Sequence, residues 1–310
     1  MNFSRKRTDV ESVLFSGLTG AAAWLIVAIL LVILANIAWF GLPGLSWNFV
    51  AGSTAKDMFN PEHAGIMPMI FGTAALVILM TIMVVPVGVI TAIYLTEYAP
   101  SGSALTRFIR GAVNNLAGVP AIVFGLFGLG FFISFVGGGL DELLYGGSSE
   151  PVWGKPAIIW AALTLATLTL PVVIVATEES LKAIPPGLRE ASLALGASKL
   201  ETVVKIVLPQ ALPGILTGSI LAVSRGAGEV APILFTGAAY YIAHLPTKLT
   251  DQFMELGYHI FILSTQSPNI EQTRPILYAT VLVLLLLTFA LNVVAIAIRM
   301  RIRKKLRSLH

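Results

Sequence analysis

Two residues of opposite charge, Arg225 and Glu229, stand inside an otherwise apolar stretch, LPGILTGSILAVSRGAGEVAPILFTG, that is long enough to cross a bilayer. They are four apart, so a helix through this stretch puts both on one face. A charge at the bilayer centre costs about 2.5–3.5 kcal/mol on insertion scales. The pair must therefore face a protein neighbour or a wet cavity. Two roles are open. In one, Arg225 lines a path for an anion and Glu229 tempers its charge so that the anion is released. In the other, the two form an ion pair that locks this helix to its neighbours. The planar guanidinium fork suits an oxyanion because it donates two parallel hydrogen bonds. The same stretch carries a ladder of small residues, Gly214, Gly218, Ala222 and Gly226. Such a ladder lets another helix approach closely, either within the chain or from a second membrane subunit.

Other chemistries find no support. There are no cysteines, which excludes disulfides, thiolate metal sites and cysteine nucleophiles. His63, His244, His259 and His310 are scattered without metal-ligand spacing. No GxxxxGK[ST] phosphate loop exists; Gly154–Lys155 runs straight into Pro156. Nothing marks a nucleophile–base pair. The expectation is a protein with no catalytic residues, no metal and no cofactor. If ATP drives it, another subunit hydrolyses the ATP.

The elements that hold the charged pair are membrane spans. Hydrophobic residues make up 56% of the 310-residue chain and charged residues only 12%, with a mean hydropathy of +0.85. A soluble domain carries about 25% charged residues. Six apolar runs are expected near 17–42, 66–95, 112–136, 157–177, 214–236 and 276–298. The first is too long for a signal-peptide core and reads as an uncleaved span. Pro86 and Pro171 fall inside spans, and Gly118 and Pro120 interrupt the third. A polar, acidic stretch, DELLYGGSSE, follows it. The loop 237–275 holds a short helix over 248–264. With it come Tyr240, Tyr241, His244, Asp251, Glu255, Tyr258 and Phe261. This loop reads either as a docking surface for a soluble receptor or as a cap over the outer mouth. The chain divides into an N-terminal segment, 1–16, a transmembrane domain, 17–298, and a basic tail, 299–310.

Six spans put both termini on one side, and basic residues choose it. With cytoplasmic termini, the inner segments hold Arg5, Lys6, Arg7, Arg107, Arg110, Lys182, Arg189, Lys199, Lys205 and the six basic residues of the tail. The outer loops hold only Lys56, Lys155, Lys248 and Arg274. The net charge of +4 and pI near 9.4 thus follow membrane side, which argues against nucleic-acid binding.

This topology places the loop EESLKAIPPGLREASLALGASKLETVVKIVLPQALPG in the cytoplasm. Pro185–Pro186 stops one helix and starts the next. Leu188, Ala191 and Leu195 recur at helical spacing, and Gly196 follows as an end cap. A second helix is expected from Lys199 to just before Pro209. A helix, a bend and a second helix at a membrane surface suit docking into a groove of another protein.

Glu190–Ala191–Ser192, Gly196, Ile206 and Leu208–Pro209 match the spacing of the EAA loop of ABC-importer permeases, with Ser192 at a position usually held by Ala. The chain resembles that family, and the resemblance implies a coupling loop, 178–213, that receives the ATPase stroke. It also implies the all-α type I importer (MetI-like) permease fold. SRGAGEVAPILFT, AIYLTEYAP, LAGVPAIVFGLFGLG, GLPGLSW and DQFMELGYHIFILSTQSPNIEQTRP are similar to stretches of the PstA-type phosphate permeases. That resemblance implies a multi-pass subunit of the inner membrane that passes inorganic phosphate, with Arg225 and Glu229 on its path. It further implies a heterodimer with a second phosphate permease (PstC-like), a cytoplasmic ATPase dimer (PstB-like) and a periplasmic phosphate-binding protein (PstS-like). Competing readings are a permease for sulfate or molybdate, an autonomous secondary transporter or channel, and a non-transporting scaffold.

Overall fold

The computed structural model describes residues 10–53, 58–100, 102–146, 150–242 and 244–307. Arg5, Lys6, Arg7, Lys56, Asp57 and His310 lie outside the described residues. The chain is helical: α1 Val10–Gly41, α2 Trp47–Ala51, α3 Met67–Ile93, α4 Ala104–Leu116, α5 Ala121–Phe127, α6 Gly138–Tyr145, α7 Ile158–Lys182, α8 Pro186–Ala194, α9 Lys199–Thr202, α10 Leu208–Gly226, α11 Leu256–Thr265 and α12 Ile270–Arg307. Two wide π-type turns join neighbours without a break, Gly128–Gly137 between α5 and α6 and Val203–Val207 between α9 and α10, and a third, Tyr94–Tyr98, extends the end of α3. Among the described residues, six of the resulting helices are long and apolar enough to cross a membrane, the number predicted above.

Four expectations are corrected. Span 3 does not begin at Ala112: α4 is a separate helix that ends before Gly118, and the span starts at Ala121, after Pro120. It then runs on to Tyr145, so DELLY of the acidic stretch is helical. Asp141 is tolerated there because its carboxylate accepts the N–H groups of Trp153 (2.9 Å) and Gly154 (2.7 Å). The helix expected to stop before Pro209 does not stop. The turn at Val203–Val207 carries it into α10, where proline sits in the first helical turn and its missing donor is harmless. Span 5 is helical only to Gly226 and not to Thr236. The short helix of the outer loop begins at Leu256, later than expected, because Glu255 caps it.

α7 is the hub. Two-thirds of its span is buried (67%), against 6% for the outermost helices α1 and α12. Leu165, Ala166 and Val173 of α7 pack with Leu76, Val77, Met80 and Val84 of α3 and with Ala222 and Val223 of α10. Thr164 and Thr169 sit fully buried on α7 because their hydroxyls bond carbonyls one turn back, at 2.7 and 2.8 Å.

After α10 the chain folds back into the bundle. Its backbone polar groups find partners there, as burial requires. The first N–H groups of α7, which have no partner in their own helix, are taken by this segment. Ala157 donates to Thr236 O, Ile158 to Asp251 O and Ile159 to Leu249 O. Ala239 donates to Phe253 O, and the Phe253 ring is fully buried.

Glu255 and His259 lie buried in this segment, four residues apart. Burial pushes the Glu255 carboxyl up from 4.5 to about 7, although N–H groups of Gly257 and Tyr258 and the Thr73 hydroxyl pull it down. Burial lowers the His259 imidazole from 6.5 to about 4, and neither ring nitrogen has a partner among the described residues. The signs oppose. From 4.5 to 7 the folded Glu255 holds a proton that the unfolded chain has released, so stability falls as pH rises. From 4 to 6.5 the unfolded His259 binds a proton that the folded one refuses, so stability rises with pH. The unsubstituted protein should show a shallow profile where the windows overlap. Glu255→Gln should melt at increasing temperature from about pH 4 to 6.5, and His259→Gln at decreasing temperature from about pH 4.5 to 7. Thermal unfolding of the three detergent-purified proteins across that range checks this; parallel profiles would refute it.

Candidate functional site

The elbow between α7 and α10 is built by its punctuation residues. Pro185 is extended (φ −55°, ψ 134°) and Pro186 opens α8. At the far end Gly196 takes φ +86°, Gly196 N–H bonds Leu193 O (3.0 Å) and Ala197 N–H bonds Ser192 O (3.2 Å). Those two bonds are the Schellman ending that glycine favours. α9 then starts on a capping box: Ser198 Oγ accepts Glu201 N–H (3.2 Å), and Glu201 accepts Ser198 N–H (3.0 Å). The Ser-x-x-Glu spacing carried that signal, which the sequence reading passed over.

Ser192 has a use that alanine would lack. Its hydroxyl lies 2.9 Å from that of Thr202, tying the two arms of the elbow together. Between the arms is a groove of ≈ 550 Å³ lined by Ala191, Ser192, Gly196, Ile206 and neighbours. Glu190, Leu208 and Pro209 do not line it: Glu190 is exposed beside it, and Leu208 and Pro209 sit half-buried where α10 begins. The outward side is apolar. Leu195 is 89% exposed and Leu200 64%, with Leu188, Leu193 and Val204 also exposed. An exposed apolar patch around a concave groove is the chemistry of a docking surface.

Arg225 and Glu229 are brought together, but not on one helical face. α10 ends at Gly226, and Glu229 lies in the turns beyond it, where its N–H bonds Gly226 O (3.4 Å). The helix ends there because glycines stand at 226 and 228 and Pro232 follows. Arg225 Nε donates to Glu229 Oε1 across a long 3.4 Å, with the side chains 40% and 24% exposed. Neither terminal nitrogen of Arg225 bonds a described residue. The arginine also sits in the last turn of α10, whose free carbonyls favour a cation. The arrangement is a guanidinium held loosely, with its fork open. Beside it, Ser224 Oγ donates to Asn292 of α12 (2.8 Å), a cross-helix contact that nothing in the local sequence announced.

The small-residue ladder faces inward. A side chain on Gly214 would strike Ser180, one on Gly226 would strike Met80, and a Cβ on Gly218 would lie 2.5 Å from that of Ala176. Gly218→Ala should therefore destabilise by about 1–3 kcal/mol through overpacking. Adding Ala176→Gly should recover most of the loss. Melting temperatures of the single and double variants decide it, and an unchanged Gly218→Ala would mean that the helices part without cost.

The outer-loop candidates separate. Tyr240, Tyr241, His244 and Phe261 are exposed. Asp251 is half-buried and its Oδ2 accepts the N–H groups of Thr247 (2.9 Å) and Lys248 (2.8 Å), and Glu255 is buried. Glu255 is therefore out of reach of a docking receptor.

Residues 84–308 match the family described as the binding-protein-dependent transport system inner membrane component. Similar proteins include the probable ABC transporter permease protein YqgI of Bacillus subtilis, 36% identical over 75% of this chain and 71% of that one. The phosphate transport system permease protein PstA of Yersinia pestis is 33% identical over 82% and 78%. PstA 1 of Mycobacterium tuberculosis is 34% identical, and the match covers 63% of this chain but only 57% of that longer relative. Among solved structures, a bacterial alginate ABC transporter in complex with a pentasaccharide-bound periplasmic protein superposes with a TM-score of 0.65 at 14% identity, over 96% of this chain and 98% of that one. The inward-facing MetNI methionine ABC transporter gives 0.51 at 20% identity, over 77% and 94%. Those two likenesses concern the fold, which is that of type I ABC importer permeases. With six apolar helices among the described residues and a family profile over most of its length, this chain belongs to the binding-protein-dependent transport system inner membrane components, the multi-pass permease subunits of ABC importers.

Proposed function

We propose that the chain passes inorganic phosphate across the cytoplasmic membrane as one permease of an ATP-driven importer, with both termini in the cytoplasm. The single observation that carries the substrate is Arg225. A guanidinium whose two terminal nitrogens bond none of the described residues, at the broken end of a membrane helix, offers an oxyanion two parallel hydrogen bonds. Glu229 offsets the positive charge of the guanidinium, so binding stays weak enough for release. The names of the Yersinia and Mycobacterium relatives point to the same substrate.

The elbow residues Glu190, Ala191, Ser192, Gly196, Ile206, Leu208 and Pro209 would receive a separate ATPase pair. Exposed leucines there suit a protein partner better than water. A second, PstC-like permease would complete the path around Arg225, and a periplasmic phosphate-binding protein would deliver the anion from outside. Sulfate or molybdate is the reading to exclude. Co-purification of the complex, followed by ATP-driven uptake of radiolabelled phosphate into proteoliposomes, tests the proposal. Uptake that sulfate or molybdate displaces better than phosphate would overturn the substrate. Uptake without ATPase would overturn the importer.

A further inference from the structure

The elbow has a second side, and it faces the bundle. There Arg189 of α8 spends its whole guanidinium on buried partners. Nη2 donates to Glu97 Oε1 (2.7 Å) and to Leu181 O (2.8 Å), Nε donates to Glu97 Oε1 (3.1 Å), and Nη1 donates to Ile184 O (2.9 Å). The Glu97 side chain is 9% exposed and that of Arg189 21%, so neither is offered to a partner outside. Glu97 lies in the turn Tyr94–Tyr98 that ends span 2, 92 residues away in the chain. Lys199 of α9 rests over the neighbouring Tyr98 ring, 5.1 Å from its centre. Arg110 of α4 donates to Leu95 O in the same turn (3.0 Å) and lies 3.7 Å from Glu178 of α7.

We infer that Arg189 and Glu97 form a clamp that carries displacement of the elbow into span 2. The inference rests on the importer reading above. The elbow is joined through the backbone to α7 and α10 only. α3 has no such link, yet its Leu76, Val77, Met80 and Val84 pack against both, and Met80 sits against Gly226 beside Arg225. If α7 and α10 tilted alone, that packing would break at the charged pair. A fork held on the Leu181 and Ile184 carbonyls, with its Nε and Nη2 bonded to Glu97, makes span 2 move with the elbow instead. A lysine has the charge but not the fork. Arg189 and Glu97 are thus positioning residues, and they touch neither the ATPase nor the anion.

The test uses the full importer in proteoliposomes, with ATP hydrolysis and anion uptake measured on the same vesicles. Glu97→Gln and Arg189→Lys should assemble and hydrolyse ATP at near-normal rates, while uptake per ATP falls about tenfold. The chain has no cysteine, so Glu97→Cys/Arg189→Cys can be bridged cleanly by a short bifunctional thiol reagent. Bridging should restore uptake per ATP that the unbridged pair lacks. An unchanged ratio in the single variants, hydrolysis and uptake lost in proportion, or a bridged pair that stays uncoupled would each overturn the clamp. If the unsubstituted complex takes up another oxyanion in place of phosphate, the substrate assignment fails and the ratio is read with that oxyanion.

Discussion

Arg225→Gln should leave the permease folded and assembled, yet lower phosphate uptake by about a hundredfold. A charge-assisted hydrogen bond contributes about 1.5–3 kcal/mol, and every 1.4 kcal/mol is about a factor of ten. Losing the fork removes two such bonds to the anion. The structural loss is smaller. The pair is partly exposed and 3.4 Å long, and pairs of that kind contribute about 0–1 kcal/mol. Glutamine keeps a donor and most of the length, so packing at the end of α10 survives.

A second substitution separates the two roles left open by the sequence. If Arg225 and Glu229 only lock helices together, removing one leaves the other unpaired, and removing both should restore uptake. If Arg225 binds the anion, Arg225→Gln/Glu229→Gln stays as inactive as the single variant. Glu229→Gln alone should then hold phosphate more tightly and release it more slowly, lowering both the maximal rate and the half-saturating concentration. Uptake kinetics of the four proteins, normalised to assembled complex, decide between the roles. Normal uptake by correctly inserted Arg225→Gln would remove this residue from the path.

What the sequence could and could not disclose follows from the range of the interactions. Spans are legible because a bilayer demands about 20 apolar residues in a row, and the chain has six such runs. Pro185, Pro186 and Gly196 are legible because each restricts or frees one φ angle. The end of α10 is different. VAPILFT beyond Gly226 is as apolar as the helix before it, so composition cannot distinguish a spanning helix from a buried turn. What makes the turn tenable is distant: its carbonyl at Thr236 meets the first turn of α7, and Phe253 pairs alongside it. Gly226, Gly228 and Pro232 were the available local hints. Pro209 misled for a related reason, since the π-type turn Val203–Val207 just before it accommodates it. Glu97 and Arg189 were visible singly, one as the acid closing span 2 and one beside the EAA-like motif. Only folding joins them.

Gly196→Val should uncouple the importer, with uptake per ATP and retention of the ATPase both falling about tenfold. Nothing lies within 4 Å of the place a Cβ would occupy at Gly196. Crowding therefore plays no part, and the whole effect is backbone. At φ +86° an L-residue costs about 1–2 kcal/mol, and a β-branched one is a true outlier there. That exceeds or matches what a single Schellman ending returns, so the bend opens and Leu195 leaves the docking face. Because the strain is conformational, a graded series follows. Gly196→Asn should be mildest, since asparagine enters the left-handed region more readily than most residues. Gly196→Asp should be worse, as it adds a negative charge at the carbonyl end of α8, and Gly196→Val should be worst. Membrane insertion should stay constant throughout, because the spans on either side do not depend on this angle. Co-purified ATPase and uptake per ATP, measured across the series, test the ordering. A valine variant that couples like the unsubstituted protein would show that the elbow's shape is not what the ATPase grips.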